Sequence, residues 1–156
     1  MIAKEIRVLA ETLRQKGYHL TIETAGTIAP QSIACDLASI SPKLRNSLPD
    51  ERLPLAWRER HEATRFRPEV LREWVDRYPY QFKFVISSPE DLTEVEQMIG
   101  ELQRPLPPHK ILLMPEATSL ERLRERAAWL SDVCKANGYR YAHRLHIELY
   151  GNRRGT

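Results

Sequence analysis

The chain has 156 residues, 42% of them hydrophobic and 29% charged, with a formal net charge of +3 and an isoelectric point near 9.0. That length suits one domain with a real core, and the composition excludes disordered and fibrous classes. No apolar run is long enough to span a bilayer. The charged start Met1-Ile2-Ala3-Lys4-Glu5-Ile6-Arg7 lacks the unbroken apolar stretch of a signal peptide, so a cytoplasmic location is expected.

In chain order, Ile2, Ile6, Leu9, Ala10 and Leu13 fall at helical spacing over residues 2–16, and Gly17 is a stop signal. A strand is expected from Tyr18 to Thr24, and a second β-prone stretch over Ile33–Ile40 is broken by Ser41-Pro42-Lys43. Residues 44–66, with Pro49, Pro54 and many charges, read as a surface excursion with at most short helices. Pro68 suits the first turn of a helix through Val70, Leu71 and Trp74 to about Tyr78. Gln81–Ser87 is a strand of aromatic and β-branched residues. Ser88-Pro89-Glu90-Asp91 provides an N-cap, a proline and acids for a helix to about Leu102. Pro105, Pro107 and Pro108 form a stiff connector to a short strand, Lys110–Met114, that ends at Pro115. Ser119 caps a long helix to about Ala136, stopped by Asn137-Gly138, and Leu145–Tyr150 alternates as a final strand before a polar tail. Strands alternating with helices imply βαβ units: an α/β fold with a mainly parallel sheet of about five strands, in a single domain over residues 1–156.

The basic balance is a weak pointer to nucleic acid, because Arg and Lys are interleaved with Glu and Asp as on solvated helix faces. Cys35 and Cys134 are far apart, have no CxxC partner, and read as small buried residues. His61-Glu62 resembles half of a zincin motif, but Arg65 stands where the second histidine belongs. His143 and His146, placed in a strand, point to opposite faces and cannot share a metal. Trp57, Trp74 and Trp129 suit core packing or surface cover, and P-loop, GxGxxG and nucleophile-elbow motifs are absent.

The chemistry-bearing residues gather at strand ends. Glu23, Thr24 and Gly26 end the first strand, and Ser41, Pro42 and Lys43 the second. Ser87 and Ser88 end the third, Pro115, Glu116 and Thr118 the fourth, and Asn152, Arg153, Arg154 and Thr156 follow the fifth. In a parallel sheet these ends share one rim, where ligands bind. A buried carboxylate such as Glu23 needs a partner there, and Lys43, behind a proline that stiffens the backbone, is a candidate cation for a carboxylate or phosphate.

The runs Glu23-Thr24-Ala25-Gly26-Thr27 and Ile40-Ser41-Pro42-Lys43, with the tail from Arg144 to Thr156, resemble the later part of 7-carboxy-7-deazaguanine synthases. These are radical S-adenosylmethionine enzymes of queuosine and 7-deazapurine biosynthesis. The resemblance implies a partial (β/α) barrel and a carbon–nitrogen lyase that converts 6-carboxy-5,6,7,8-tetrahydropterin to 7-carboxy-7-deazaguanine with loss of ammonia. It implies S-adenosylmethionine, a [4Fe-4S] cluster and magnesium as cofactors, a homodimer, and no direct contact with nucleic acid or membrane. By position, Ser41, Pro42 and Lys43, and later Met114, Pro115, Glu116 and Ala117, match residues that meet S-adenosylmethionine. Glu23 and the terminal Thr156 match residues that reach substrate.

The family's three-cysteine cluster motif and its G-G-E-P run have no counterpart here, and Met1 falls at the helix that would follow that run. The expectation is a C-terminal part of such an enzyme, inactive alone, that aggregates or pairs with a separate N-terminal polypeptide. A catalytically dead remnant, or a non-enzymatic binding protein, stays open as the alternative.

Overall fold

The structure is a computed structural model, and residues 5–49 and 52–153 are described. The elements are α1 (Ile6–Gln15), β1 (Thr21–Thr24), β2 (Leu37–Ile40), α2 (Leu55–Thr64), α3 (Pro68–Arg77) and β3 (Tyr80–Ile86). They continue with α4 (Glu90–Glu101), β4 (Ile111–Pro115), α5 (Leu120–Asn137), β5 (Arg140–Tyr141) and α6 (Leu145–Tyr150). Local signals explain many of the boundaries. Pro68 opens α3, the Ser119 hydroxyl accepts the Arg122 amide to cap α5, and Gly138 closes that helix at φ 68°.

The five strands are all parallel, and their spatial order β1-β2-β3-β4-β5 repeats their chain order. Crossovers between parallel strands are right-handed, so an order that never reverses puts every connection on one face of the sheet. That arrangement is compatible with a partial (β/α) barrel, and it differs from a doubly wound sheet, whose order reverses.

Strand periodicity of two then divides the side chains. Ala38, Ile40, Phe82, Phe84, Ile86, Ile111 and Leu113 point to the covered face and pack with Leu71 and Trp74 of α3, Val95 and Met98 of α4, and Leu130 and Cys134 of α5. The β1–β2 crossover has no helix; Ile33, Ala34 and Cys35 fill that part of the core. Its carbonyls are satisfied from α3: Trp74 Nε1 donates to Ile28 O at 2.9 Å, and the Tyr78 hydroxyl to Ile33 O at 2.8 Å. Trp74, 1% exposed, is thus core, whereas Trp57 on α2 is 68% exposed.

The first four strands and the three central helices stand where the pattern put them, within a few residues. The fifth strand does not. Leu145–Tyr150 is the helix α6, and the strand is the pair Arg140–Tyr141 directly after Gly138. Six alternating residues do not separate period 2 from a helix turn, and here only Ile147 is buried, against Ala117 and Leu123. The correction removes Asn152, Arg153 and Arg154 from the end of a strand, and it removes the opposite-face argument for His143 and His146. The excursion at 44–66 is also more ordered than expected, holding a 3₁₀ turn at Arg45–Ser47 and the ten-residue α2. Ile2, at the start of the expected first helix, lies outside the described residues, as do Arg154 and Thr156.

Two glycines make opposite predictions. Gly26 has φ 72°, and a Cβ there would lie 2.1 Å from Leu71 Cδ2. Gly26→Ala should lower stability by about 2–3 kcal/mol through backbone strain and overpacking. Gly100, inside α4 with open space around it, should accept Ala with a gain of about 0.5–1 kcal/mol. Urea denaturation of both variants checks the signs, and equal effects would contradict this packing.

Candidate functional site

The uncovered face of the sheet carries Glu23, Ser39, Gln81, Lys83, Val85, Leu112 and Met114, in alternation with the core residues. Register aligns Glu23 with Ser39 and Ser39 with Gln81. Gln81 Nε2 donates to Ser39 Oγ at 3.1 Å, and Lys83 Nζ stands 3.7 Å from Glu23 Oε1. The Glu23 side chain is 76% exposed, so this pair contributes little to stability, and both groups remain free to meet a ligand. Glu23 was expected to be buried and partnered; it has a partner but lies open. Thr24 and Gly26, the rest of that polar strand end, serve the backbone: Thr24 Oγ1 accepts the Gly26 amide at 3.1 Å and shapes the turn out of β1.

At the C-terminal rim the strand ends are stitched together. The Ser41 amide donates to Thr24 O at 2.7 Å, and the Glu116 amide to Ile86 O at 2.7 Å. Between β2, β3 and β4 lies a concavity of about 240 Å³ lined by Pro42, Lys43, Leu44, Asn46, Val85 and Glu116, with Ser47. Two segments more than seventy residues apart in sequence, Pro42-Lys43 and Glu116 just after β4, therefore meet in one hollow. Lys43 is exposed, whereas Pro42 is buried. The Glu116 carboxylate and its own carbonyl are both held by the Arg126 guanidinium from α5, so this residue is ion-paired and half-buried. Pro115 and Ala117 are buried, Met114 is half-buried, and Ala117 O accepts Arg144 Nη1 at 3.1 Å. The structure thus brings Pro42, Lys43 and Glu116 together and sets Glu23 apart, on the open face.

Three features escaped the sequence reading. Lys83 and Gln81 lie on the uncovered face of the sheet from β3, and their signal was polar alternation inside a strand assigned to a parallel sheet. Arg65, noted only as a missing histidine, is 8% exposed and joins Glu62, Glu94 and the Lys43 carbonyl. At the end of β5, His143 lies between the Tyr141 hydroxyl at 3.3 Å and Glu148 Oε2 at 2.6 Å. Neither of the last two has a motif in the sequence.

The donor sets decide which cofactors these residues suit. Cys35 and Cys134 are both buried on the covered side, and burial pushes both thiols up, opposite to the thiolate that iron requires. Among the described residues no group of three His, Cys, Asp or Glu is placed to hold a metal ion. The described residues therefore do not fit an iron–sulfur cluster. The hollow beside Lys43 does suit a zwitterionic organic ligand: an ammonium, a carboxylate and apolar walls converge there. Among the described residues no helix is long and apolar enough to cross a membrane.

Comparison with known proteins gives three relatives. The chain is 37% identical over 157 aligned positions to a 7-carboxy-7-deazaguanine synthase of Rhodopirellula baltica, covering all of this chain and 60% of the relative. It is 36% identical to the enzyme of that name from Halobacterium salinarum, over 93% of this chain and 59% of the relative. A third, from Pyrobaculum aerophilum, is 31% identical over 94% of this chain and 59% of its own length. The chain thus spans about three-fifths of the curated relatives it matches. No protein-family model and no solved structure matches it.

The Arg65 knot has a pH signature. Its two-pronged hydrogen bond holds the Glu62 carboxyl below the ordinary value of 4.5. A lowered folded-state value means that this contribution is full above the ordinary value and fades as pH falls through the lowered one. Glu62→Gln should therefore lose stability less steeply than wild type over the acid range below the ordinary value of 4.5. Thermal denaturation across that range measures the slopes, and identical slopes would contradict the coupling.

Proposed function

This chain is a relative by sequence of the 7-carboxy-7-deazaguanine synthases, and on that premise we propose that it forms the wall of the cleft in which such an enzyme holds S-adenosylmethionine and a pterin. The meeting of Lys43 with Glu116 across one hollow at the ends of β2 and β4 carries this reading. The ammonium of Lys43 neutralises the carboxylate of the bound S-adenosylmethionine. Pro42 stiffens its backbone, and Ser41 ties it to β1. Met114, Pro115, Glu116 and Ala117 form the facing edge, with Arg126 holding the Glu116 carboxylate in place. Glu23, with Lys83 and Gln81 beside it, presents polar groups to the pterin, and Thr156 is the proposed terminal substrate contact.

S-adenosylmethionine held in this hollow would supply the radical chemistry proposed for the ring contraction with ammonia release, given a cluster held by other residues. The residues of this chain bind, orient and screen; the cluster and magnesium need ligands from chain beyond these 156 residues. A second copy completes the proposed homodimer. Within these residues the reading is of one domain.

Titration calorimetry of the 156-residue chain with S-adenosylmethionine should detect binding, and Lys43→Met should weaken it about tenfold, the worth of one charge-assisted contact. Iron–sulfur reconstitution of the same chain should yield no cluster absorbance and no deazaguanine product from the tetrahydropterin. Failure to bind would favour a remnant without this function, and product from the chain alone would contradict the assignment of the cluster to other residues.

A further inference from the structure

Arg65 ends α2, on the one excursion of the chain that the sheet does not require, yet it is among the most buried charged residues described. Its guanidinium is a four-way junction. Nε and Nη2 donate to the two oxygens of Glu62 at 2.7 and 2.9 Å. Nη1 donates to Glu94 Oε1 at 2.7 Å and to the backbone carbonyl of Lys43 at 3.0 Å. Glu94, on α4, uses its other oxygen to accept the Arg45 amide at 2.9 Å. One residue further, Asn46 Nδ2 donates to Val85 O at 3.0 Å and to Asp91 Oδ2 at 2.7 Å. Asp91 Oδ2 also receives the amides of Ser87 and Ser88 at the end of β3.

The segment that leads out of Lys43 is therefore bonded: the Lys43 carbonyl is held by Arg65, the Arg45 amide by Glu94 and the Asn46 side chain by Asp91, both acids on α4. The Lys43 side chain stands exposed toward the hollow that contains Glu116, and it is the one cation of this segment among the residues that line it. A surface lysine has no need of a buried arginine fork behind it. A lysine that must present its ammonium in one direction does, because an ordered backbone leaves only the side-chain torsions to be fixed on binding.

From this geometry we infer that Arg65 is a positioning residue that aims Lys43 at an anionic group of the ligand in the hollow between β2 and β4. The inference rests on the cleft reading above for the identity of that ligand, but not for the clamp itself. Lysine cannot replace the fork. A single ammonium carries three rotatable donors on a flexible stem and cannot span Glu62, Glu94 and the Lys43 carbonyl in one plane.

The test uses Arg65→Lys and, as a variant that keeps Arg65 and its fold, Glu94→Gln. Amide hydrogen exchange should accelerate about tenfold or more at residues 43–47 in both, with β3 and α5 unchanged. Calorimetry with S-adenosylmethionine should show Arg65→Lys and Lys43→Met each weakening binding about tenfold, and the double variant no more than about twofold worse than Lys43→Met alone. That non-additivity separates aiming from a merely structural role. Unchanged exchange at 43–47 in either variant, or an additive loss of about a hundredfold in the double variant, overturns the inference. Wild-type affinity in Lys43→Met overturns the cleft reading and the ligand-directing role with it, and the exchange rates then judge the clamp alone.

Discussion

A parallel sheet whose strands keep chain order can be covered by its own crossovers on one face only. Most of what distinguishes this molecule follows from that constraint. The covered face takes Ile40, Phe82, Phe84, Ile86 and Leu113 against α3, α4 and α5. The other face receives Glu23, Ser39, Gln81, Lys83 and Met114, a set that a sheet buried on both sides would not tolerate. All strand ends then point to one rim, where Ser41, Ser87 and Glu116 begin the loops and Lys43 reaches the hollow.

Electrostatics make that rim rigid. Three arginines from outside the sheet take over carbonyls and carboxylates at its edge: Arg65 beneath Lys43, Arg126 on Glu116, and Arg144 on Ala117. Arginine suits this work because its planar fork serves several acceptors at once and stays charged when buried. Asp91 performs the complementary task, collecting the amides of Ser87 and Ser88 together with Asn46. The Lys83–Glu23 pair, by contrast, is long and open. Rim loops are thus fixed while the polar face stays available, a division suited to a site that must hold a ligand without filling itself.

Much of the fold was readable, for identifiable reasons. Strands ended by Ser-Pro-Lys or Pro-Glu, and helices marked by Pro68, Ser119 and Gly138, carry their signals within a few residues. β5 failed because two residues offer no period, and Leu145–Tyr150 was too short to separate alternation from a helical turn. At the site, Lys43 and Glu116 were readable as strand-end residues, but their meeting depends on strand order. The ion pair of Glu116 was not readable, because Arg126 lies ten positions away on another element. Arg65 could not be found by motif at all: its partners Lys43 and Glu94 lie 22 and 29 residues away and only tertiary packing assembles them. The structure also splits Glu23-Thr24-Ala25-Gly26, one motif in sequence, into an open-face carboxylate and a turn device.

The central claim is that the ligand sits on the uncovered face, at the rim between β2 and β4. Its most direct test is a titration of the isotopically labelled chain with S-adenosylmethionine, followed by amide and lysine side-chain resonances. The account predicts shifts concentrated at Ser41, residues 43–47, Val85, Ser87 and residues 116–117, with the Lys43 ammonium among the largest. Shifts confined to the helical faces of α4 and α5, or none at saturating ligand, would contradict it.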